Sequence, residues 1–204
     1  MDHSWQESRR AFADAAAWFV DVVGGVDDRW DLPGLGEWDI RALVGHASRS
    51  MLTVEAYLAR PAAAVEVDSA IDYFRATSAA AAGSAVAARG RDAGVALGAE
   101  PAAAVRVIAA RVVPLVDSQS GKELVTTIAG GMRLADYLPT RTFELVVHTA
   151  DLAAAIGVPA EVPATAAALA LGIIADLAVA RGVAAPLLLA ATGRPGLPPG
   201  FTVL

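Results

Sequence analysis

The sequence predicts a mainly all-α protein, a bundle of four to six helices joined by short connections, with small β pieces near the C-terminus. Three observations carry this. Apolar residues recur at three- and four-residue steps along most of the chain. Glycine and proline punctuate those segments. β-leaning runs are short and confined to the stretch after residue 120.

The first amphipathic helix is expected over residues 3–23, where Trp5, Phe12, Ala16, Phe19, Val20 and Val23 share a face and Gly24-Gly25 ends it. Asp14 and Asp21, seven residues apart, read as its solvated face. A loop over 25–37 follows, with Trp30 and Trp38 as its anchors to the core. Asp39 is a good N-cap for a second helix running to about Arg60, with Pro61 as its end. Its stripe is Ile40, Leu43, Val44, Ala47, Met51, Val54 and Leu58, and His46 lies beside it.

Residues 68–98 hold further helix with Asp68 as the expected cap, and Gly83, Gly90 and Gly94 blur its boundaries. Pro101 suits the first turn of another helix, expected to end near Pro114. Glu123–Ala129 is β-leaning, and with Gly130-Gly131 and Met132–Leu134 it suggests a small hairpin. A strong helix is expected over Thr140–Ile156, closed by Gly157 and Pro159, and a last one over about 163–181. In the tail, Leu187–Thr192 reads as a short strand before a Gly/Pro-rich turn and an extended Phe201–Leu204.

Composition narrows the function. The 204 residues are 55% hydrophobic and 19% charged, enough for a large core and too apolar for disorder. The net charge of -6 and the absence of any Lys/Arg cluster argue against nucleic acid as a partner. The longest uncharged run, Val162–Ala175, is 14 residues, short of a membrane span. The first residues, Met1–Trp5, lack the basic and apolar regions of a signal peptide, so a cytoplasmic location is expected. With no cysteine, disulfides, thiolate metal sites and a cysteine nucleophile are excluded, and any thiol chemistry needs a thiol from outside.

The segment that could carry chemistry is Thr140–Leu152. Glu144 and His148 are four apart and Asp151 is three further on, so all three share one helix face. One helix cannot close a metal site. His46 is the candidate third ligand, because the chain has only two other histidines, His148 itself and the terminal His3. Two histidines and a carboxylate suit catalytic zinc with an open position, and also non-haem iron. Zinc or a similar divalent ion is the choice here, because comparable iron oxygenases sit mostly on β scaffolds, an argument by analogy. The same residues admit a plainer reading. Glu-x-x-x-His is often only a side-chain pair, His46 a hydrogen-bonded core histidine, and Asp151 a partner for Arg141 or Arg133.

Two blocks bear on this choice. Trp38-Asp39-Ile40-Arg41-Ala42-Leu43-Val44-Gly45-His46, and Arg141-x-x-Glu144-x-x-x-His148-x-x-Asp151-Leu152 about 100 residues later, resemble the mycothiol-dependent maleylpyruvate isomerase family, a group of the DinB-like metal-binding bundles. The resemblance covers most of residues 1–157. It implies a DinB-like four-helix bundle with extra helices, holding a divalent metal through His46, Glu144 and His148, with Asp151 orienting a ligand. On this basis residues 1–160 form the bundle, and 161–204 a C-terminal helix and short extended tail packed on it. Isomerases of this type carry a substantial α/β C-terminal domain, whereas 45 residues follow Pro159 here. Ala191–Pro195 resembles the C-terminal end of such proteins, and Arg194 is its candidate catalytic contact to an anionic substrate.

Two functions follow from the resemblance. In one, the metal activates the thiol of mycothiol, and the thiolate adds to an electrophilic small substrate; departure after rotation gives cis–trans isomerisation, and retention gives thiol S-transfer. In the other, the protein binds a small molecule through its metal without turnover. A metal-free bundle is the remaining reading if His46 faces away. The partners expected are a small-molecule thiol and an electrophilic substrate, with no nucleic acid and no membrane; a homodimer is left open.

Overall fold

The computed structural model describes residues 4–81 and 84–204. His3 and the expected boundary at Gly83 lie outside the described residues. Helix α1 spans Trp5–Gly24, α2 Ile40–Leu58, α3 Ala70–Ala81, α4 Ser84–Ala96, α5 Pro101–Asp117, α6 Leu134–Ile156, α7 Ala164–Ala180 and α8 Ala184–Ala191. Two antiparallel hairpins complete the fold, β1 (Pro33–Leu35) with β2 (Trp38–Asp39), and β3 (Leu124–Thr127) with β4 (Gly130–Arg133).

Helices α1, α2, α5 and α6 form the bundle, with α1 and α2 each packed against both α5 and α6. The periodic apolar positions meet at its centre. Phe12 and Phe19 of α1, Leu43 and Met51 of α2, Val112 of α5 and Leu145 and Leu152 of α6 are all fully buried. Helix α7 packs on α6 and α1, α3 on α6, and α4 on the far side of α2. Asp14 is not part of a freely solvated face, because its carboxylate accepts a hydrogen bond from Thr165 of α7 at 2.5 Å. Among the described residues no single helix is long and apolar enough to cross a membrane.

Local signals set most helix ends. Ser4 caps α1 in a reciprocal box with Glu7: the Ser4 hydroxyl accepts from the Glu7 N–H at 3.2 Å and the Glu7 carboxylate from the Ser4 N–H at 2.8 Å. Asp39 caps α2 by accepting from the Ala42 N–H at 2.7 Å. Gly157, at φ +72°, ends α6.

Four expected boundaries move. The cap of α3 is Ser69, whose hydroxyl accepts from the Asp72 N–H at 3.1 Å, and not Asp68. Helix α6 begins at Leu134 and carries Pro139 inside it, because Leu134, Tyr137 and Leu138 are all fully buried and their packing outweighs the hydrogen bond that proline removes. Pro114 likewise lies inside α5, which continues to bury Val116. The expected strand at Leu187–Thr192 is helical, part of α8. A short apolar run carries no periodicity to separate the two states, Pro186 is tolerated in a first turn, and neither hairpin offers this run a pairing edge.

The seam between α2 and α4 is tight. A Cβ on Gly45 would lie 2.1 Å from the Gly94 nitrogen, and one on Gly94 would lie 2.7 Å from the Arg41 carbonyl oxygen. Two helix backbones touch here, and only glycine permits it. In an isolated helix Gly→Ala gains about 1 kcal/mol. At this seam we expect Gly45→Ala to destabilise the protein by about 1–3 kcal/mol through overpacking. Urea unfolding of both proteins checks this, and an unchanged or raised midpoint would contradict the contact.

Candidate metal centre

Two elements bring the site residues together. On α6, Glu144 and His148 lie one turn apart, and the His148 Nε2 is 3.3 Å from the Glu144 carboxylate. On α2, His46 faces them, with its ring 4.7 Å from that of His148 and nearly perpendicular to it at 86°. One ligand atom from each of His46, Glu144 and His148 lies within 4.8 Å of the others. Residues 98 apart in sequence therefore meet because α2 and α6 are neighbours in the bundle.

Asp151 completes the arrangement. Its carboxylate is 3.1 Å from the His148 Nδ1, so it pairs with neither Arg141 nor Arg133. Holding a proton on Nδ1 aims Nε2 toward Glu144 and raises the basicity of the ring. Trp38, at the start of α2, lies over His46 at 4.5 Å between ring centres. Its indole N–H donates to the Ala87 carbonyl of α4 at 3.0 Å. Gly90 makes room for that ring, since a Cβ there would lie 2.6 Å from it. The α2–α4 seam and Trp38 thus wall the site on one side.

The electrostatics are unusual for an alanine-rich interior. Burial pushes the His46 imidazole down to about 4, and the neighbouring His148 adds to the effect. Burial would also lower His148, but hydrogen bonds to Asp151 and Glu144 outweigh it and raise the ring to about 9. Burial opposes ionisation of Glu144, yet the His148 hydrogen bond and the Arg141 charge hold its carboxyl below the usual range. The metal-free site therefore contains a carboxylate, an imidazolium and a neutral imidazole. The His46 Nδ1 is buried and has no hydrogen-bond partner. A histidine with a buried, partnerless nitrogen that meets a carboxylate and a second imidazole, whose Nδ1 is already held, is a donor set that a divalent ion such as zinc takes. The residues fit the group.

The site opens into a cavity of about 940 Å³, within the size range of small-molecule sites. Its walls include Tyr57, Tyr73, Phe74 and Tyr137, with Arg49, Arg75, Arg89, Arg141 and Arg181 as cations and Glu144 as the one carboxylate side chain. Arg194 is not among them. It is exposed beyond α8, and its guanidinium donates to the Thr192 carbonyl at 3.0 Å. Arg141, which opens the second block and has no ligand-binding role assigned from the sequence, lies one turn before Glu144 on the same helix.

The two imidazoles give the metal-free protein a distinctive pH profile. The His46 ring is depressed from 6.5 in the fold, so its contribution to stability is complete above about pH 6.5 and is lost as pH falls toward 4. The His148 ring is raised, so its contribution is complete below about pH 6.5 and is lost as pH rises through 9. We expect His148→Gln to remove the decline between pH 6.5 and 9, on the order of 2 kcal/mol, and to leave the acid limb in place. Urea titrations of chelator-treated protein from pH 5 to 9 measure it. A wild-type stability that rises steadily across pH 6.5–9 would contradict the assignment.

No curated protein and no solved structure matches the chain. A family model does, over residues 9–153, which takes in α1 to α6 and all three converging residues. The paired blocks ending at His46 and at Leu152, the helical bundle and the His/Glu/His cluster agree with it. The chain belongs to the mycothiol maleylpyruvate isomerase N-terminal domain family.

Proposed function

We propose that the chain is a metal-dependent thiol enzyme, a mycothiol-dependent isomerase or thiol S-transferase, with a divalent ion, best met by zinc, held by His46, Glu144 and His148. The observation that carries the reading is the meeting of two imidazoles and a carboxylate, from α2 and α6, at the wall of a 940 Å³ cavity. His46, Glu144 and His148 would hold the ion, which when bound would lower the pKa of a thiol beside it and so favour the thiolate. The chain's own residues do the rest. Asp151 fixes the tautomer and orientation of His148. Trp38 covers His46, and Phe74 and the tyrosines give the cavity apolar walls against which an electrophilic carbon and a sulfur can meet with little water between them. The missing cysteine is consistent with an external thiol.

Binding without turnover is the second reading. The position of Arg194 favours it, since the candidate catalytic arginine of the tail does not reach the cavity. Incubation of zinc-loaded protein with mycothiol and maleylpyruvate separates the two. Thiol-dependent isomerisation supports the enzyme, and saturable binding without conversion supports the second reading.

Metal and stability are linked in this proposal. His148→Ala should cost more zinc affinity than the roughly 10–100-fold that follows from removing a residue that only orients a ligand, and Asp151→Asn should fall in that smaller range. Chelation should lower the melting temperature of the wild type, because the ion's charge offsets the cost of a buried Glu144. The His148→Ala protein should hardly respond. Melting curves with and without chelator and thiol test this; equal thiol-induced shifts in both proteins would leave Glu144 and His148 a structural pair.

A further inference from the structure

We propose that Arg141 is the anion-recognition residue of the cavity, and that its guanidinium receives a carboxylate of the ligand whose other end reaches the His46, Glu144 and His148 cluster. The position of that other end rests on the functional reading above; the recognition of a carboxylate does not.

The argument begins with what Arg141 lacks. Its Nε donates to the Thr140 hydroxyl at 3.0 Å, but among the described residues its two terminal nitrogens have no hydrogen-bond partner and no carboxylate lies within ion-pair distance of it. This protein satisfies its structural arginines differently. Arg111 grips Glu55 with two bonds of 2.6 and 2.9 Å, and Arg29 donates to the Ile156 and Val26 carbonyls at 2.7 and 3.1 Å. An arginine inside a fold without such partners is costly to keep.

What surrounds Arg141 fixes its direction. Tyr73 and Tyr137 meet at 68° and form a corner. The guanidinium lies against both rings, 5.2 and 5.1 Å from their centres. The two rings hold the group from two sides, and Arg141 lines the cavity. A fork with two parallel N–H donors matches a planar carboxylate. Among the described residues five arginines line this cavity, Arg75 of them paired with Asp72 at 3.6 Å, against Glu144 as the one lining carboxylate side chain, so the excess of positive charge favours an anion. Arg141 shares its helix face with Glu144, one turn on, which places the anion beside the metal ligands rather than at the rim.

Calorimetric titration of zinc-loaded protein with 3-mercaptopropionate, 2-mercaptoethanol and cysteamine tests the assignment. These thiols differ mainly in a carboxylate, a hydroxyl or an ammonium at the far end. The wild type should bind 3-mercaptopropionate roughly 10- to 100-fold more tightly than 2-mercaptoethanol, the range of a charge-assisted hydrogen-bonded pair. Arg141→Met should abolish that preference, and Arg141→Lys should keep part of it. Far-ultraviolet circular dichroism checks folding. Should Arg141→Met unfold, Arg141→Lys alone decides, because a merely structural contact to the tyrosines would not move the preference between thiols. Succinate and inorganic phosphate, added without thiol, form the second arm. A melting-temperature rise with succinate that shrinks in Arg141→Lys supports the proposal even if no thiol binds, an outcome that would sink the thiol reading alone. A wild type without carboxylate preference, a preference unchanged in both variants, or a response to phosphate and not succinate would overturn it.

Discussion

A carboxylate placed inside an alanine-rich bundle must be compensated, and the organisation around α6 answers that constraint. Glu144 lies on a helix whose buried residues include Leu138, Leu145 and Leu152. Desolvation alone would drive it to the protonated form. His148, one turn on, supplies a hydrogen bond and a charge, and Asp151 keeps that charge in place. Arg141, one turn earlier, supplies a second cation at longer range. His46 comes from the facing helix and is kept toward its neutral form by burial first and by the nearby His148 charge second. The group that makes chemistry conceivable here is thus the group whose burial dictates the identity of its neighbours.

The scaffold serves this cluster by bringing α2 to its neighbours at unusually short range. Glycines at 45 and 94 let α4 lie directly on α2, and Gly90 admits the Trp38 ring between them. The β1–β2 hairpin delivers Trp38 and Asp39 side by side, so one residue covers His46 while the next caps the helix that carries it. On the other side, the β3–β4 hairpin leads straight into α6. The chain after α2 also lies along it: the Ala62 N–H donates to the Leu124 carbonyl at 3.0 Å, and the Glu66 carboxylate accepts from the Gly131 N–H at 2.7 Å. Both ligand-bearing helices are therefore fixed at their entry by a hairpin.

Much of this was legible in the residues themselves. Phe12 and Phe19, Leu43 and Met51, and Leu145 and Leu152 announce buried faces by spacing alone, and the pairing of His46 with Glu144 and His148 follows from there being so few histidines. What escaped the sequence was decided by tertiary packing. Pro139 and Pro114 mark helix ends by every local rule, yet the burial of Tyr137 and of Val116 keeps both helices going. Leu187–Thr192 has strand-like composition but no strand to meet. Arg194 drew notice by its place in a tail motif, whereas Arg141 acquires its importance only from the two tyrosines, Tyr73 on another helix, that fold back around it.

The pairing of α6 with both α1 and α2 also shapes how the molecule comes into being. The first two helices of the bundle have α6 as a shared neighbour, and α6 is complete only at residue 156. A nascent chain that has delivered α1 through α5 still presents Phe19, Leu43 and Met51 along a face whose cover has not yet been made. Until α6 is made that surface stays open, and exposed apolar surface on a partly folded chain is the circumstance in which chaperones act. It also means that no shorter folding intermediate can own a half-built site. Closing the core and assembling the His/Glu/His cluster are one event in the life of the chain.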